Sequence, residues 1–197
     1  MDNIRYFFLL AIFVNGEAPS SLDSVAFNNE FLNPKSVDHK KLSGRWYDRM
    51  DTLNATFRSN ICSDVVPLCD GTLVNTLFHW FSDLGECRTS VIALHPLRSN
   101  SSGPETAVRF LATWMSTNAT IGVYTILYFD DHQGIVIASQ HTELTSGYYV
   151  STRQRNPSHL GQAVRDALSA LDLDPRKLNM ESTDYGCEET REQGIDL

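Results

Sequence analysis

The side chains of this chain that could do chemistry are four cysteines (Cys62, Cys69, Cys87 and Cys187), six histidines and a scatter of carboxylates. Cysteines can hold zinc, attack a substrate or form disulfides. No Cys-x-x-Cys pair occurs, and the histidines show no His-x-x-x-His or carboxylate partner at ligand spacing. Neither a metal nor any other cofactor is therefore expected. Asp48 is the carboxylate of most interest. It follows Gly44-Arg45-Trp46, where a glycine lets the backbone turn tightly while a large ring is pushed inward. On the two-residue period of a strand, Asp48 and Met50 share the Trp46 face. A carboxylate enclosed there is costly unless partnered, by a neighbouring arginine or by a cationic group of a ligand. Arg109 is the second charged candidate.

The elements that must position these residues lie in a chain of 197 residues, long enough for one domain with a substantial core. With 16 basic against 24 acidic residues the net charge is −8, and the longest basic run is Lys40-Lys41, so nucleic-acid binding is not expected. Residues 1–18 read as a secretory signal. Arg5 precedes the apolar core Phe7–Val14, and the small residues Gly16 and Ala18 mark the cut, with Pro19 favouring cleavage near Gly16. That apolar core is shorter than the roughly 20 residues of a spanning helix, and no later stretch approaches that length, so no integral membrane segment is expected. Export favours disulfides over zinc. It also agrees with three glycosylation sequons, at Asn54, Asn100 and Asn118.

Residues 19–36 carry Pro19 and Pro34 without periodicity and read as a flexible arm. Eight short β-prone runs come next: Gly44–Asp51, Cys62–Cys69, Thr72–Phe81, Cys87–Leu97, Thr106–Met115, Ile121–Phe129, Gly134–Gln140 and Tyr148–Arg153. Turn chemistry separates them, as at Asp70-Gly71 and Asp130–Gln133. Short connections favour antiparallel neighbours, and eight such strands favour an all-β, up-and-down barrel that can hold one small ligand, a flattened sandwich being the alternative. One helix comes after the strands, capped by Asn156 with Pro157 at its first position and an apolar stripe of Leu160, Val164, Ala167, Leu168 and Leu171. Residues 37–188 are thus assigned to barrel plus helix and 189–197 to a polar tail.

These elements and motifs resemble the secreted lipocalins. Lys41-x-x-Gly44-x-Trp46-Tyr47 is similar to the first family motif. Ile126–Ile137 is similar to the second, with Asp130 at its turn aspartate, although Phe129, Asp131 and Gly134 depart from the pattern. Arg153 with Pro157 four residues on is similar to the third. The resemblance implies that Arg153 stacks on Trp46 at a closed end, a cation–π contact of about 1 kcal/mol. It also implies a Cys87–Cys187 disulfide that pins the tail to the wall, Cys62–Cys187 being the pairing of other branches. The ligand it implies is a small, mostly apolar molecule entering at the open end, with a cell-surface receptor as a further partner.

Within the family, Cys62-Ser63-Asp64-Val65-Val66-Pro67 and Glu86-Cys87-Arg88-Thr89 resemble the apolipoprotein D and lipocalin-type prostaglandin D synthase branch. In the synthases a second-strand thiol acts as nucleophile. Cys62 takes that position, so a lipid isomerase is the alternative to a carrier, and a biogenic-amine scavenger using Asp48 is another. Candidate cavity residues are Asp48, Met50, Val66, Leu77, Arg109, Leu111, Tyr124 and Tyr128. Strand faces are ambiguous in the sequence, since Asn75, Leu77 and His79 alternate with the equally mixed Val74, Thr76, Phe78 and Trp80.

Overall fold

Runs of β-branched and aromatic residues, punctuated by Asp-Gly and Asp–Gln turns, build a barrel in the computed structural model. It describes residues 36–52, 58–81, 84–97, 107–143, 146–155, 161–180 and 187. The expected signal segment (residues 1–18), most of the expected N-terminal arm, Asn54, Asn100, the expected capping residues Asn156 and Pro157, Leu160 and residues 189–197 lie outside the described residues.

A short helix α1 (His39–Leu42) leads into eight strands, β1 (Gly44–Asp51), β2 (Arg58–Pro67), β3 (Leu73–Phe81), β4 (Glu86–Pro96), β5 (Arg109–Trp114), β6 (Thr120–Asp130), β7 (Ile135–Thr142) and β8 (Ser146–Thr152). Helix α2 (Gly161–Ala170), a 3-10 turn (Pro175–Lys177) and a two-residue strand β9 (Asn179–Met180) complete the order. Each strand pairs antiparallel with the next, β8 pairs with β1, and β1 pairs with β2 through Gly44↔Val65 to Tyr47↔Cys62. The sheet closes on itself, so the eight strands leave no open edge. The fold is the closed, up-and-down barrel with one C-terminal helix.

Strand limits shift where local chemistry intervenes. β2 begins at Arg58 and stops at Pro67, so Cys69 belongs to the β2–β3 turn rather than to the strand. Pro67 has no N–H to continue the ladder. Asp70 Oδ1 accepts the Thr72 amide at 2.9 Å and sets that turn. α1 and β9 have no periodic signal in the sequence; β9 is held by pairing of Met50 and Asp51 with Met180 and Asn179.

Two apolar layers result. Inside the barrel, Trp46, Val65, Leu73, Ile92, Phe110, Ile126 and Val136 pack together. Outside it, Val164, Ala167, Leu168 and Leu171 of the α2 region bury against Ile135, Ile137 and Val150. The helix exposes Gln162, Arg165 and Asp166 to solvent, so one stripe is apolar and the other polar.

The closed end is built around Arg153. Its guanidinium carbon lies 3.8 Å from the Trp46 ring centroid, and its Nη1 and Nη2 donate to the carbonyls of Arg45 at 3.0 Å and Lys41 at 2.7 Å. The Trp46 indole donates to the Leu42 carbonyl at 2.8 Å, so α1 sits across the floor. Gly134, at φ +66°, leaves the room Arg153 needs: a Cβ there would stand 2.5 Å from Arg153 Cγ. Asp130 holds the β6–β7 turn by accepting the Gln133 amide at 2.9 Å.

A Cys87–Cys187 disulfide joins β4 to the chain beyond the helix across 100 residues. On the loop-closure account such a crosslink contributes roughly 4–5 kcal/mol.

Candidate functional site

Alternation on closed strands leaves an interior, and here it encloses a cavity of about 390 Å³. Every one of the eight strands contributes to its lining. Trp46 and Leu42 form the floor. Leu73, Leu77, Ile92, Leu94 and Phe110 form an apolar wall on β3 to β5, and Trp114 reaches it from the end of β5. The volume falls in the range of small-molecule sites.

The opposite wall is polar. Asp48 and Asp51 of β1 face Ser151 and Tyr149 of β8, their register partners. The Ser151 hydroxyl donates to Asp48 Oδ1. Tyr124 and Tyr149 meet edge-on with ring centroids 6.4 Å apart. Burial pushes the Asp48 carboxyl up from 3.8 to about 6; the Ser151 hydrogen bond opposes this and the Asp51 charge adds to it. Burial also holds the Tyr149 phenol well above its usual 10, helped by Tyr124 and the Asp48 charge. His79, buried on β3, lines the cavity with its ring 4.8 Å from that of Phe81.

Of the residues singled out from the sequence, Asp48, Leu77 and Tyr124 line this cavity, and Met50, Val66, Arg109, Leu111 and Tyr128 do not. The departures have local causes. In β1 the register against β8 slips by one residue between Asp48 and Met50. The slip turns Met50 outward into the cluster under α2 and brings Asp51 inward. A second slip, between Ile126 and Tyr128 against β7, sends Tyr128 to the same outer cluster, where its hydroxyl donates to Asp130 at 3.4 Å.

On β2 and β5 the faces are the reverse of those expected. Val65 lines the cavity while Val66 is 52% exposed. Phe110 lines it while Arg109 is exposed. Arg109 and Leu111, one strand period apart, share the face opposite Phe110. Phe110 and Ala112 sit on the buried side of the same strand, and the charge on Arg109 is the sequence signal for that orientation.

Cys62 does not face the cavity. It is fully buried on the outer side of β2, where Arg45 Nη1 approaches its sulfur at 3.5 Å and the same guanidinium pairs with Asp64 at 2.6 Å. Its neighbour Ser63 is the β2 residue that points inward. A thiol on the outer face is not positioned to attack a molecule inside. Asn118 stands exposed in the β5–β6 turn at φ +58°.

Barrel, closed end and cavity together define a lipocalin fold. No protein-family model matches the sequence, and no curated protein matches it. Solved structures do share the fold. Lobster apocrustacyanin A1 is 12% identical with a TM-score of 0.59, over 77% of this chain and 83% of that one. H1 crustacyanin from the lobster Homarus americanus is 14% identical at 0.57, over 81% and 93%. The major allergen Per a 4 from cockroaches is 14% identical at 0.56, over 74% and 88%. At such identities the likeness is one of fold.

Proposed function

We propose that this protein is an exported lipocalin that binds a small, mostly apolar molecule in its barrel and carries or sequesters it outside the cell. The observation that carries the reading is the barrel cavity of about 390 Å³, lined on the β3–β5 side mostly by aliphatic and aromatic residues and floored by Trp46. The hydrophobic effect favours filling such a space with an apolar molecule over leaving it to water. The Cys87–Cys187 bond suits an oxidising compartment. The signal-like residues 1–18 and the sequons at Asn54, Asn100 and Asn118 support export and glycosylation. Binding, rather than turnover, is the reading that fits a Cys62 thiol placed outside the cavity.

Native mass spectrometry of the protein secreted from a eukaryotic host, before and after organic extraction, tests this. The expected result is a bound small molecule that extraction removes, and uptake of the neutral probe N-phenylnaphthylamine by the extracted protein. No adduct and no probe uptake would sink the binding reading.

A further inference from the structure

The two walls of the cavity differ in charge as well as in polarity. Asp51 is buried and Asp48 half-buried within it, and their register partners Ser151 and Tyr149 add a hydroxyl and a phenol to the same patch. Among the described residues, the lining contains no lysine and no arginine, and His79 on β3 is its one imidazole. Arg49, between the two acids in sequence, donates from Nη1 to the Arg155 carbonyl at 3.0 Å, and three other arginines are engaged outside the lining. Arg45 pairs with Asp64 on the outer face, Arg88 with Glu86 in an exposed pair, and Arg153 lies against Trp46 with its donors on the carbonyls of Arg45 and Lys41.

The lining also carries Ser63, Asn75, His79, Thr125 and Gln140, but its carboxylates are Asp48 and Asp51, and a ligand packed on the aliphatic side chains of β3–β5 has this patch across from it for its polar end. A carboxylate there would meet like charge in a medium that screens it poorly, and no lining guanidinium or ammonium would offset the loss of its hydration. A hydroxyl or an ammonium instead finds carboxyl oxygens that accept hydrogen bonds.

We infer that the β1–β8 wall is a charge filter: the cavity takes lipophiles whose polar end donates hydrogen bonds and is neutral or cationic, and refuses those that end in a carboxylate. This inference rests on the binding reading above and adds the ligand class. Asp48 and Asp51 are then specificity-determining residues.

Displacement of N-phenylnaphthylamine at neutral pH by dodecanol, dodecylamine and dodecanoate tests it, because the three share one chain and differ at the head. Dodecanol and dodecylamine are expected to displace the probe, and dodecanoate at least about tenfold more weakly. Replacing both acids (Asp48→Asn with Asp51→Asn) is expected to shrink the dodecanoate deficit to within about threefold and to weaken dodecylamine relative to dodecanol. The single Asp51→Asn variant should move both in the same direction by less, and it serves if the double variant does not fold. Equal displacement by acid and alcohol in the unaltered protein would overturn the filter, as would a deficit that neither variant changes. Failure of the probe itself to bind would instead remove the binding reading, and the filter with it.

Discussion

The Arg153 guanidinium stands 3.8 Å from the centroid of the Trp46 ring, and its two terminal nitrogens donate to carbonyls at the start of β1 and the end of α1. One side chain from the end of β8 thus locks the first strand, the floor ring and the short helix across the closed end. Arg153→Ala is expected to cost roughly 2–4 kcal/mol, from the lost cation–π contact and two charge-assisted hydrogen bonds. Arg153→Lys should recover only part of this, because an ammonium cannot stack and reach both carbonyls at once. Urea denaturation followed by tryptophan fluorescence measures both.

Gly134 is held at φ +66° with Arg153 packed over it, and a methyl group there would stand 2.5 Å and 2.7 Å from Arg153 Cγ and Cβ. Gly134→Ala should therefore combine backbone strain with displacement of the arginine, at about 1–3 kcal/mol. Because Trp46 loses its lid, its near-ultraviolet circular dichroism should change in the same variant. An unchanged spectrum and unchanged stability would refute the packing argument.

Asp48 titrates near 6 in the fold against 3.8 in the unfolded chain, so the native state binds more protons between these values. Its contribution to stability is fully present below about 3.8 and is lost as the pH rises through about 6. Asp48→Asn keeps the shape and removes the charge. It should raise stability above that window by on the order of 1–3 kcal/mol and remove the corresponding slope. Denaturant midpoints compared across pH would show it.

The two cysteines outside the disulfide should differ sharply in reactivity. Cys69 is exposed in the β2–β3 turn and Cys62 is fully buried. Alkylation of the native protein with iodoacetamide, read by peptide mass spectrometry, is expected to modify Cys69 and spare Cys62 until denaturant is added.

Cys87→Ser with Cys187→Ser releases a crosslink spanning 100 residues and is expected to cost roughly 3–5 kcal/mol. The barrel pairings do not depend on it, so far-ultraviolet circular dichroism should stay that of a β protein while the denaturation midpoint falls.

The sequence by itself determined the parts of this protein whose residues carry their own geometry. Glycine before Trp46, an arginine after the last strand, Asp-Gly and Asp–Gln turns and a helical apolar stripe set the number of strands, their antiparallel order, the plugged end and the outer helix. The reason is local: turn residues and periodicity act over a few positions and keep their meaning in any surroundings. The inner surface was legible only in part. Asp48 follows from Trp46 by strand period, whereas Leu77 and Tyr124 lie on strands whose faces the sequence leaves ambiguous, and one extra residue at Arg49 and another at Leu127 reverse the period in the rest of β1 and β6. Those slips are set by pairing with β8 and β7, nearly a hundred and about ten residues away, and nothing near Asp51 or Tyr128 announces them. Tertiary structure alone therefore decided that Asp51 joins Asp48 inside, that Met50 and Tyr128 support the helix, and that the Cys62 thiol turns its back on the cavity.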